Sequence, residues 1–392
     1  MYRVVFLLFW SALRCVICDN NYEDAKLNFT QLAVKYGQKC EEFDVTTKDG
    51  YILKLFHIVG NESNPIILAH GMTDSADTFI IRGELSLAIT LAKKGCDVWA
   101  LNVRGNKYSR RHETLNPDKD KEFWNYSFHE MGLTDLPAII DFVLNNTGQS
   151  QLTIIGHSQG NQMSLVLTSL FTEYNSKIKA IIALGPVAFM HNVRFPLSAL
   201  IPLWPSINIV LKASGQEEIF KNGTLPTYAA RNVCTQKEIG YKLCGQRVLF
   251  PIVGPDPDEL EPEFFPIMFE HFPTTTSRKN FDHCAQISLK KRFAQFDYGL
   301  DNLKVYGSLV PAEYPLSNIT TRVALLVGLN DPLADVTDVK ILRDKLPNSY
   351  YYEIKREQCN HADFVIGKNM NDYLYPIVFE ILQNYRKINF NN

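Results

Sequence analysis

The hydrophobic positions of the chain form short runs with two different spacings. The stretch EEFDVTTKDGYILKLFHIV (41–59) alternates apolar and polar residues around Asp49-Gly50, which predicts a β-hairpin. The runs NPIILAHG and CDVWALNVRG are short and continuous, as in strands buried on both faces. Between them, LSLAITLAKKG has helical spacing and ends at a glycine. This alternation of strands and helices predicts an α/β fold with a mostly parallel central sheet and helices on both faces.

The alternation is interrupted once. Residues 186–306 are rich in proline, aromatic and irregular polar pieces, and the strand-like run TTRVALLVGLNDPLAD follows them. A long insertion between two core strands predicts a cap or lid over the sheet. We therefore divide the chain into a signal peptide (1–18), two parts of one core (19–185 and 307–392), and the cap (186–306).

One cap segment is unusually apolar. The run FPLSALIPLWPSINIVL (195–211) is too apolar for a solvent-facing loop and too broken by proline to form one core helix. We expect it to line an acyl-binding cleft or the underside of a lid. The alternative is that it forms an ordinary small core for the cap.

The N-terminus indicates a secretory route. Arg3 precedes an apolar run from Val4 to Leu13, which is about half the length that a bilayer requires and is typical of a signal peptide rather than a membrane anchor. We expect no transmembrane helix and a secreted or lysosomal location. Six N-x-S/T sequons are candidate glycosylation sites: Asn28, Asn61, Asn125, Asn145, Asn222 and Asn318.

Charge and cysteine spacing argue against a nucleic-acid-binding protein and against a structural metal site. The formal net charge of the 392 residues is -2, and no basic run is interleaved with aromatics, so we do not expect a nucleic-acid partner. Cys234 and Cys244 lie close together in CTQKEIGYKLC, and they are the expected disulfide in an oxidising compartment. No paired CxxC zinc spacing is present, so we expect no structural metal. We also expect no cofactor. The redox state of Cys40, Cys96, Cys284 and Cys359 stays open.

The segment QLTIIGHSQGNQM (151–163) carries the strongest chemical signal. A G-x-S-x-G sequence between a predicted strand and a predicted helix is the pattern of a nucleophile elbow, in which Ser158 projects its hydroxyl above the sheet. Taken alone, the motif also fits a glycine-rich turn without chemistry. A catalytic serine needs a histidine as base and a carboxylate to orient that histidine.

Both partners are expected after Ser158, in the order acid and then histidine. Asp331 directly follows the predicted strand VALLVGLN, and His361 follows the predicted strand YYYEIK. Among the later histidines, only His361 follows a core strand. The alternatives are that Asp331 is an ordinary turn residue before Pro332, and that His361 is a histidine of a surface loop.

An oxyanion hole requires two backbone N–H donors. One is expected from the residue after the nucleophile, Gln159, and the other from the loop His70-Gly71-Met72 after the strand NPIILA, where we assign Met72. We expect His70 and His157 to be structural rather than catalytic.

Taken together, these segments resemble the acid lipase family, which includes gastric and lysosomal acid lipases and insect relatives. Long blocks occur in family order: DVTTKDGYIL, LAHGMTDSADTFI, KKGCDVWALNVRGNKYSRRH, FWNYSFHEMGLTDLPAIIDFV, IGHSQG, GLNDPLADVTDV and NHADF. The resemblance implies an α/β-hydrolase fold, a cap with a mobile lid, and hydrolysis of ester bonds of neutral lipids at an interface.

Site residues follow from the resemblance position by position. Ser158 matches the nucleophile, Asp331 the acid and His361 the base, and Met72 with Gln159 matches the oxyanion hole. Two departures stand out: Met72 replaces the usual leucine, and ALNVRG stands where the family usually has GNSRG. Because the oxyanion donor is main chain, the first departure should be mild.

The expected function is that of a serine carboxylic ester hydrolase. The expected partner is a lipid ester, triacylglycerol or cholesteryl ester, at a lipid–water interface, and we expect a monomer. A lipase-like lipid-binding or storage protein without catalysis is the main alternative, and the intact serine, aspartate and histidine argue against it. A protease or thioesterase on the same core is a third possibility, which the matching blocks disfavour.

Overall fold

The computed structural model describes residues 22–61 and 64–387, so the predicted signal peptide (1–18) lies outside the described residues. The first two strands, β1 (Cys40–Thr46) and β2 (Ile52–Ile58), form the predicted hairpin. Gly50 in its turn has φ +91°, a conformation that glycine adopts without steric cost.

The sheet that follows has the predicted α/β character. Its order is β1-β2-β4-β3-β5-β6-β9-β10, with β2 antiparallel to β4 and all later neighbours parallel. A separate two-stranded piece joins β7 to β8. The bounds are β3 (Ile66–Ala69), β4 (Val98–Leu101), β5 (Leu152–His157), β6 (Ile178–Leu184), β7 (Glu218–Ile219), β8 (Thr276–Ser277), β9 (Arg322–Val327) and β10 (Ser349–Glu353).

Both faces of the sheet are covered, because successive strand side chains point to opposite faces. Ile154 and Ile181 belong to one hydrophobic core, whereas their neighbours Ile155 and Ile182 belong to the other. The α-helices of the core are Phe29–Lys35, Leu87–Lys93, Phe128–Glu130, Leu136–Thr147, Gln159–Leu170, Tyr174–Lys177, Val336–Lys345, Asp363–Ile366, Met370–Tyr373 and Tyr375–Lys387, and a π-helical turn, Met131–Asp135, joins the third to the fourth.

The predicted cap (186–306) is mainly helical, and its boundaries remain a prediction. The expected disulfide between Cys234 and Cys244 is present, with its Cα atoms 5.5 Å apart. Cys284 and Cys359 are buried thiols. The α-helices of this region are Leu197–Leu200, Trp204–Ala213, Leu225–Ala229, Lys237–Gly240, Phe250–Val253, Phe265–His271, Arg278–Lys290 and Asn302–Tyr306, with π-helical turns at Ala230–Cys234 and Tyr241–Leu249.

Three expectations from the sequence concern membrane-spanning helices, metal sites and glycosylation. Within residues 22–61 and 64–387, no helix is long and apolar enough to cross a membrane. The same residues contain no group of histidine, cysteine and acidic side chains that could hold a metal ion. The asparagines of all six sequons are exposed, so each is accessible to a glycosylating enzyme, and their occupancy remains a prediction.

Candidate active site

Ser158 occupies the sharp turn between β5 and the helix that follows it. Its backbone has φ 51° and ψ -112°, a conformation that costs a non-glycine residue about 1–3 kcal/mol. The flanking glycines have no room for a Cβ atom, which would lie 2.4 Å from the Asn161 Oδ1 at Gly156 and 2.3 Å from the Ala69 carbonyl oxygen at Gly160. Close packing therefore requires G-x-S-x-G here, and the turn leaves Ser158 partly exposed at the end of β5.

Asp331 and His361 meet beside this turn, although 30 residues separate them in the chain. The Nδ1 of His361 lies 2.7 Å from the Oδ2 of Asp331. The Oδ1 of Asp331 accepts the N–H groups of Leu333 and Ala334, each at 2.8 Å. Both side chains are buried. The carboxylate is therefore fixed by backbone donors on one side and presents its other oxygen to the imidazole.

The backbone of His361 is held by two neighbours. Its N–H donates to the carbonyl of Val253 at 2.9 Å, and its own carbonyl lies 2.9 Å from the Nε2 of His157. The rings of His157 and His361 have centroids 4.8 Å apart. Since His157 directly precedes Ser158, these contacts place the His361 loop next to the serine turn.

Gly185 leaves the space that the aspartate and histidine occupy. It follows β6 with φ +50°, and a Cβ atom there would lie 3.2 Å from both the Asp331 Oδ2 and the His361 Nδ1. A side chain at this position would push against the hydrogen bond between the two groups. Sequence reasoning passed over this glycine, although its position directly after a buried strand was a usable signal.

Met72 and Gln159, the predicted oxyanion donors, border the serine. A Cβ atom at Gly71 would lie 3.4 Å from the Ser158 Cβ, so the loop after β3 packs against the serine turn. No hydrogen bond resolved among the described residues occupies the backbone N–H of Met72 or of Gln159. The Gln159 side chain is itself held, because its Oε1 accepts the Asn280 Nδ2 at 2.6 Å. Sequence reasoning missed Asn280, which comes from the cap region.

The other two histidines near the site have structural surroundings, as expected. The Nδ1 of His70 lies 2.8 Å from the Gly71 carbonyl, and its Nε2 accepts the Val103 N–H at 3.3 Å. Burial lowers the pKa of His70 to about 4 and that of His157 to about 3, so both are neutral near pH 7. The Val103 contact also shows that ALNVRG packs directly against the loop after β3.

Comparison with known proteins identifies the family of the chain. A model described as the alpha/beta hydrolase fold matches residues 64–238, and one described as a partial alpha/beta-hydrolase lipase region matches residues 29–83. Lipase 1 of Drosophila melanogaster is 36% identical over 93% of this chain and 81% of its own length. The chain belongs to the acid lipase family. Accordingly, it is a carboxylic ester hydrolase of the lipase type.

Vertebrate relatives of this acid lipase match at a similar level. Gastric triacylglycerol lipase of Rattus norvegicus is 35% identical, covering 90% of each chain. Lysosomal acid lipase/cholesteryl ester hydrolase of Homo sapiens is 33% identical over 93% of this chain and 92% of its own. Among solved structures, a candidate lipase of Sulfolobus solfataricus shares the fold with a TM-score of 0.59 at 18% identity, covering 88% of this chain and 94% of the other.

A buried carboxyl group lies two residues after His361 in this acid lipase, at the start of the helix Asp363–Ile366. Asp363 is fully buried, and its Oδ2 accepts the Asn360 N–H at 2.8 Å. Burial raises the pKa of Asp363 well above its ordinary value, and the neighbouring carboxyls of Asp256 and Glu259 raise it further, while the Asn360 N–H opposes them. The folded protein therefore holds the proton of Asp363 up to a higher pH than an unfolded chain does.

The contribution of Asp363 to stability should fall as the pH rises. The contribution of Asp363 is fully present below the ordinary carboxyl pKa of about 4. It is lost as the pH rises through the raised pKa that Asp363 has in the folded protein. Asp363→Asn keeps the shape without ionising, so raising the pH from about 5 to about 8 should lower the unfolding temperature less, or raise it more, in this variant than in the wild type. Thermal unfolding of the wild type and of Asp363→Asn at the two pH values measures this difference. The exposed Asp372→Asn is the control, and an unchanged difference in Asp363→Asn would contradict the assignment.

Proposed function

We propose that this chain is a secreted or lysosomal lipase that hydrolyses the ester bonds of neutral lipids, triacylglycerol or cholesteryl ester. The observation that carries the proposal is the 2.7 Å contact between the Asp331 Oδ2 and the His361 Nδ1 beside the strained turn at Ser158. Relatives named gastric triacylglycerol lipase and lysosomal acid lipase/cholesteryl ester hydrolase support the substrate class and the location.

The reaction proceeds by double displacement. The Ser158 Oγ attacks the ester carbonyl while the Nε2 of His361 takes its proton, and Asp331 keeps the other imidazole proton on Nδ1. The backbone N–H groups of Met72 and Gln159 stabilise the oxyanion. Collapse of the tetrahedral intermediate breaks the ester C–O bond, and His361 protonates the departing alcohol. Water, deprotonated by His361, then attacks the acyl-enzyme, releasing the fatty acid and restoring Ser158.

The apolar segment 195–211 supports a lipid substrate. Its helix Trp204–Ala213 has no buried residue, and the Ile209 side chain is 70% exposed. Phe195, Leu203 and Val210 are exposed as well. A segment forming a small cap core would bury these side chains, so this pattern favours the lid interpretation. Such a surface is suited to contact with lipid rather than water.

Activity against a panel of esters tests the proposal. Triolein, cholesteryl oleate and short p-nitrophenyl esters are offered to the purified protein across a range of pH, and hydrolysis of at least one long-chain ester is expected. Labelling by a fluorophosphonate probe requires an activated serine and excludes the alternative of an inactive lipid-binding protein. A protein that neither reacts with the probe nor hydrolyses any ester would contradict the proposal.

Replacing part of the cap should separate lipid hydrolysis from ester chemistry. The cap segment 215–245, which contains the Cys234–Cys244 disulfide, is replaced by a short Gly-Ser linker. We expect the wild type to show a disproportionate rise in rate once an insoluble ester passes its solubility limit, because a lid opens when lipid covers its apolar surface. The deletion should lose this rise and long-chain activity before it loses short-ester hydrolysis. Simple saturation kinetics in the wild type, with an unchanged chain-length profile in the deletion, would remove the lid from this account.

A further inference from the structure

A second exposed apolar surface lies where the cap region passes back into the core, in residues 299–310, which contain the short helix Asn302–Tyr306 and which we name the 299–310 loop. Leu300 is 91% exposed and Leu309 66% exposed, and Leu303, Val305 and Val310 are also exposed. Five large apolar side chains within so few residues form a patch that a soluble protein normally covers. None of them contributes to the active site described above.

Internal hydrogen bonds hold the 299–310 loop in this outward-facing arrangement. The side chain of Asn302 is buried, and its Nδ2 donates to the Asp297 Oδ1 at 2.7 Å and to the Leu309 carbonyl at 3.0 Å. Its Oδ1 accepts the Tyr298 N–H at 2.8 Å, and the Tyr306 hydroxyl donates to the Phe296 carbonyl at 2.9 Å. Both ends of the loop are therefore tied down, and its apolar side chains project from a fixed base.

The base of the 299–310 loop and the apolar segment 195–211 are attached to the same face of one helix, Arg278–Lys290. The Asp282 Oδ1 accepts the Trp204 indole N–H at 3.0 Å. One turn later, the Gln286 Oε1 accepts the Asp297 N–H at 2.8 Å. Residues four apart lie on one face of a helix. The two exposed apolar surfaces are thus attached side by side.

The opposite face of this helix reaches the active site. Asn280, two residues before Asp282, donates its Nδ2 to the Gln159 side chain at 2.6 Å. His283 and Ile287 share that inner face and are buried. A single helix therefore connects the outer apolar surface to the residue that supplies one proposed oxyanion donor.

Charges around the 299–310 loop suit the polar boundary of a lipid surface. Lys304 is exposed within the loop itself, between Leu303 and Val305, and Lys291 and Asp301 are also exposed. Asp297 is paired with Lys290. Apolar side chains flanked by lysines are typical of proteins that lie on the headgroup region of lipids.

We propose that the 299–310 loop is a second lipid-docking element, which together with the 195–211 segment seats the cap on a lipid–water interface. The proposal rests on the proposed function and extends it, because it identifies where the protein contacts the lipid phase. Burial of the exposed leucines in the lipid boundary supplies the attraction, and the shared helix sets the orientation of the active site toward the surface.

Vesicle flotation tests this proposal without catalysis. All variants carry Ser158→Ala, and the probe is phosphatidylcholine vesicles containing a few per cent triolein. The loop variant combines Leu300→Ser, Leu303→Ser and Leu309→Ser. We expect it to partition at least about tenfold more weakly onto vesicles than its parent, because three exposed leucines no longer enter the lipid.

A matched control removes exposed apolar side chains elsewhere. It combines Val34→Ser, Val59→Ser and Leu85→Ser, three exposed positions outside the cap region, and should change partitioning by less than about twofold if only the cap contacts lipid. Equal loss in both triple variants, or no loss in the loop variant, would overturn the proposal. If the loop variant unfolds at a lower temperature, the single variant Leu300→Ser supplies the comparison.

Light scattering separates lipid docking from self-association. A parent protein that is dimeric and becomes monomeric in the loop variant would overturn the proposal and make the 299–310 loop an interface between two copies. A monomer in both, with the vesicle difference, supports lipid docking. Vesicle binding is measured without turnover, so its result does not depend on catalysis. A wild-type protein that hydrolyses no ester would refute the proposed function, whereas the vesicle assay would still test lipid docking.

Discussion

Replacing Ser158 with alanine should reduce turnover of p-nitrophenyl butyrate by about a million-fold, the loss expected where a serine, a histidine and an aspartate act as a unit. The hydroxyl serves the chemistry, whereas the turn depends on Gly156 and Gly160. Alanine has a Cβ like serine and occupies the same backbone conformation without new strain. Folding and secretion should therefore be retained, and fluorophosphonate labelling should disappear with the activity.

Ser164 provides a matched control for this prediction. It is a buried serine in the helix Gln159–Leu170, and its hydroxyl donates to the Gly160 carbonyl at 2.8 Å, a contact within the helix. Ser164→Ala should keep activity within a few-fold, because this hydrogen bond contributes only about 1 kcal/mol to stability. A Ser158→Ala protein that retains a tenth of the wild-type turnover would refute the assignment of the nucleophile.

The sequence was informative where chemistry follows a buried strand. Ser158, Asp331 and His361 come after β5, β9 and β10, and parallel strands end at the same edge of a sheet. Strands buried on both faces are recognisable from their continuous apolar runs. The loop after each such strand is therefore predictable from the sequence, and the closeness of Asp331 to His361 follows from that placement.

Contacts made by the backbone or across the cap could not be predicted in this way. The carbonyl of Val253 accepts the His361 N–H, but every residue has a carbonyl, so nothing in the sequence distinguishes this one. Asn280 reaches Gln159 from a helix 121 positions away in the chain. The cap lacks the regular period from which such a pairing could be inferred, and so the part of the site that it contributes became visible only in three dimensions.

Three aspartates lie in NDPLADVTD, and the structure distinguishes the partner of His361 from the other two. Only Asp331 contacts His361. Asp335 caps the helix Val336–Lys345, with its Oδ1 accepting the Thr337 N–H at 2.9 Å. Asp338 instead accepts the N–H and the side-chain amide of Asn192, at 2.9 and 2.7 Å. The other two aspartates therefore serve the start of this helix and its contact with Asn192, and neither serves His361.

Asp331→Asn should lower turnover about ten-thousand-fold, a loss of the size seen when the aspartate of such a triad becomes asparagine in other enzymes. The N–H groups of Leu333 and Ala334 both point at one oxygen, so the asparagine must place its carbonyl oxygen there and turn its NH₂ group toward His361. That group donates to Nδ1 and forces the imidazole proton onto Nε2. The histidine then cannot accept the Ser158 proton, although the backbone is unchanged.

Asp335→Asn is the comparison that decides between the carboxylates. Asparagine is also a good N-cap, so this variant should lose the interaction of a negative charge with the helix end, about 0.3–1 kcal/mol of unfolding free energy. It also loses the ion pair between the Asp335 Oδ2 and the Arg194 Nε at 3.4 Å, which adds little at the protein surface. Its turnover should equal that of the wild type within a few-fold. Measuring kcat and thermal unfolding for Asp331→Asn and Asp335→Asn side by side separates chemistry from stability. If Asp335→Asn were the inactive variant and Asp331→Asn the active one, the acid would have been assigned to the wrong end of the loop, and the 2.7 Å contact with His361 would be structural rather than catalytic.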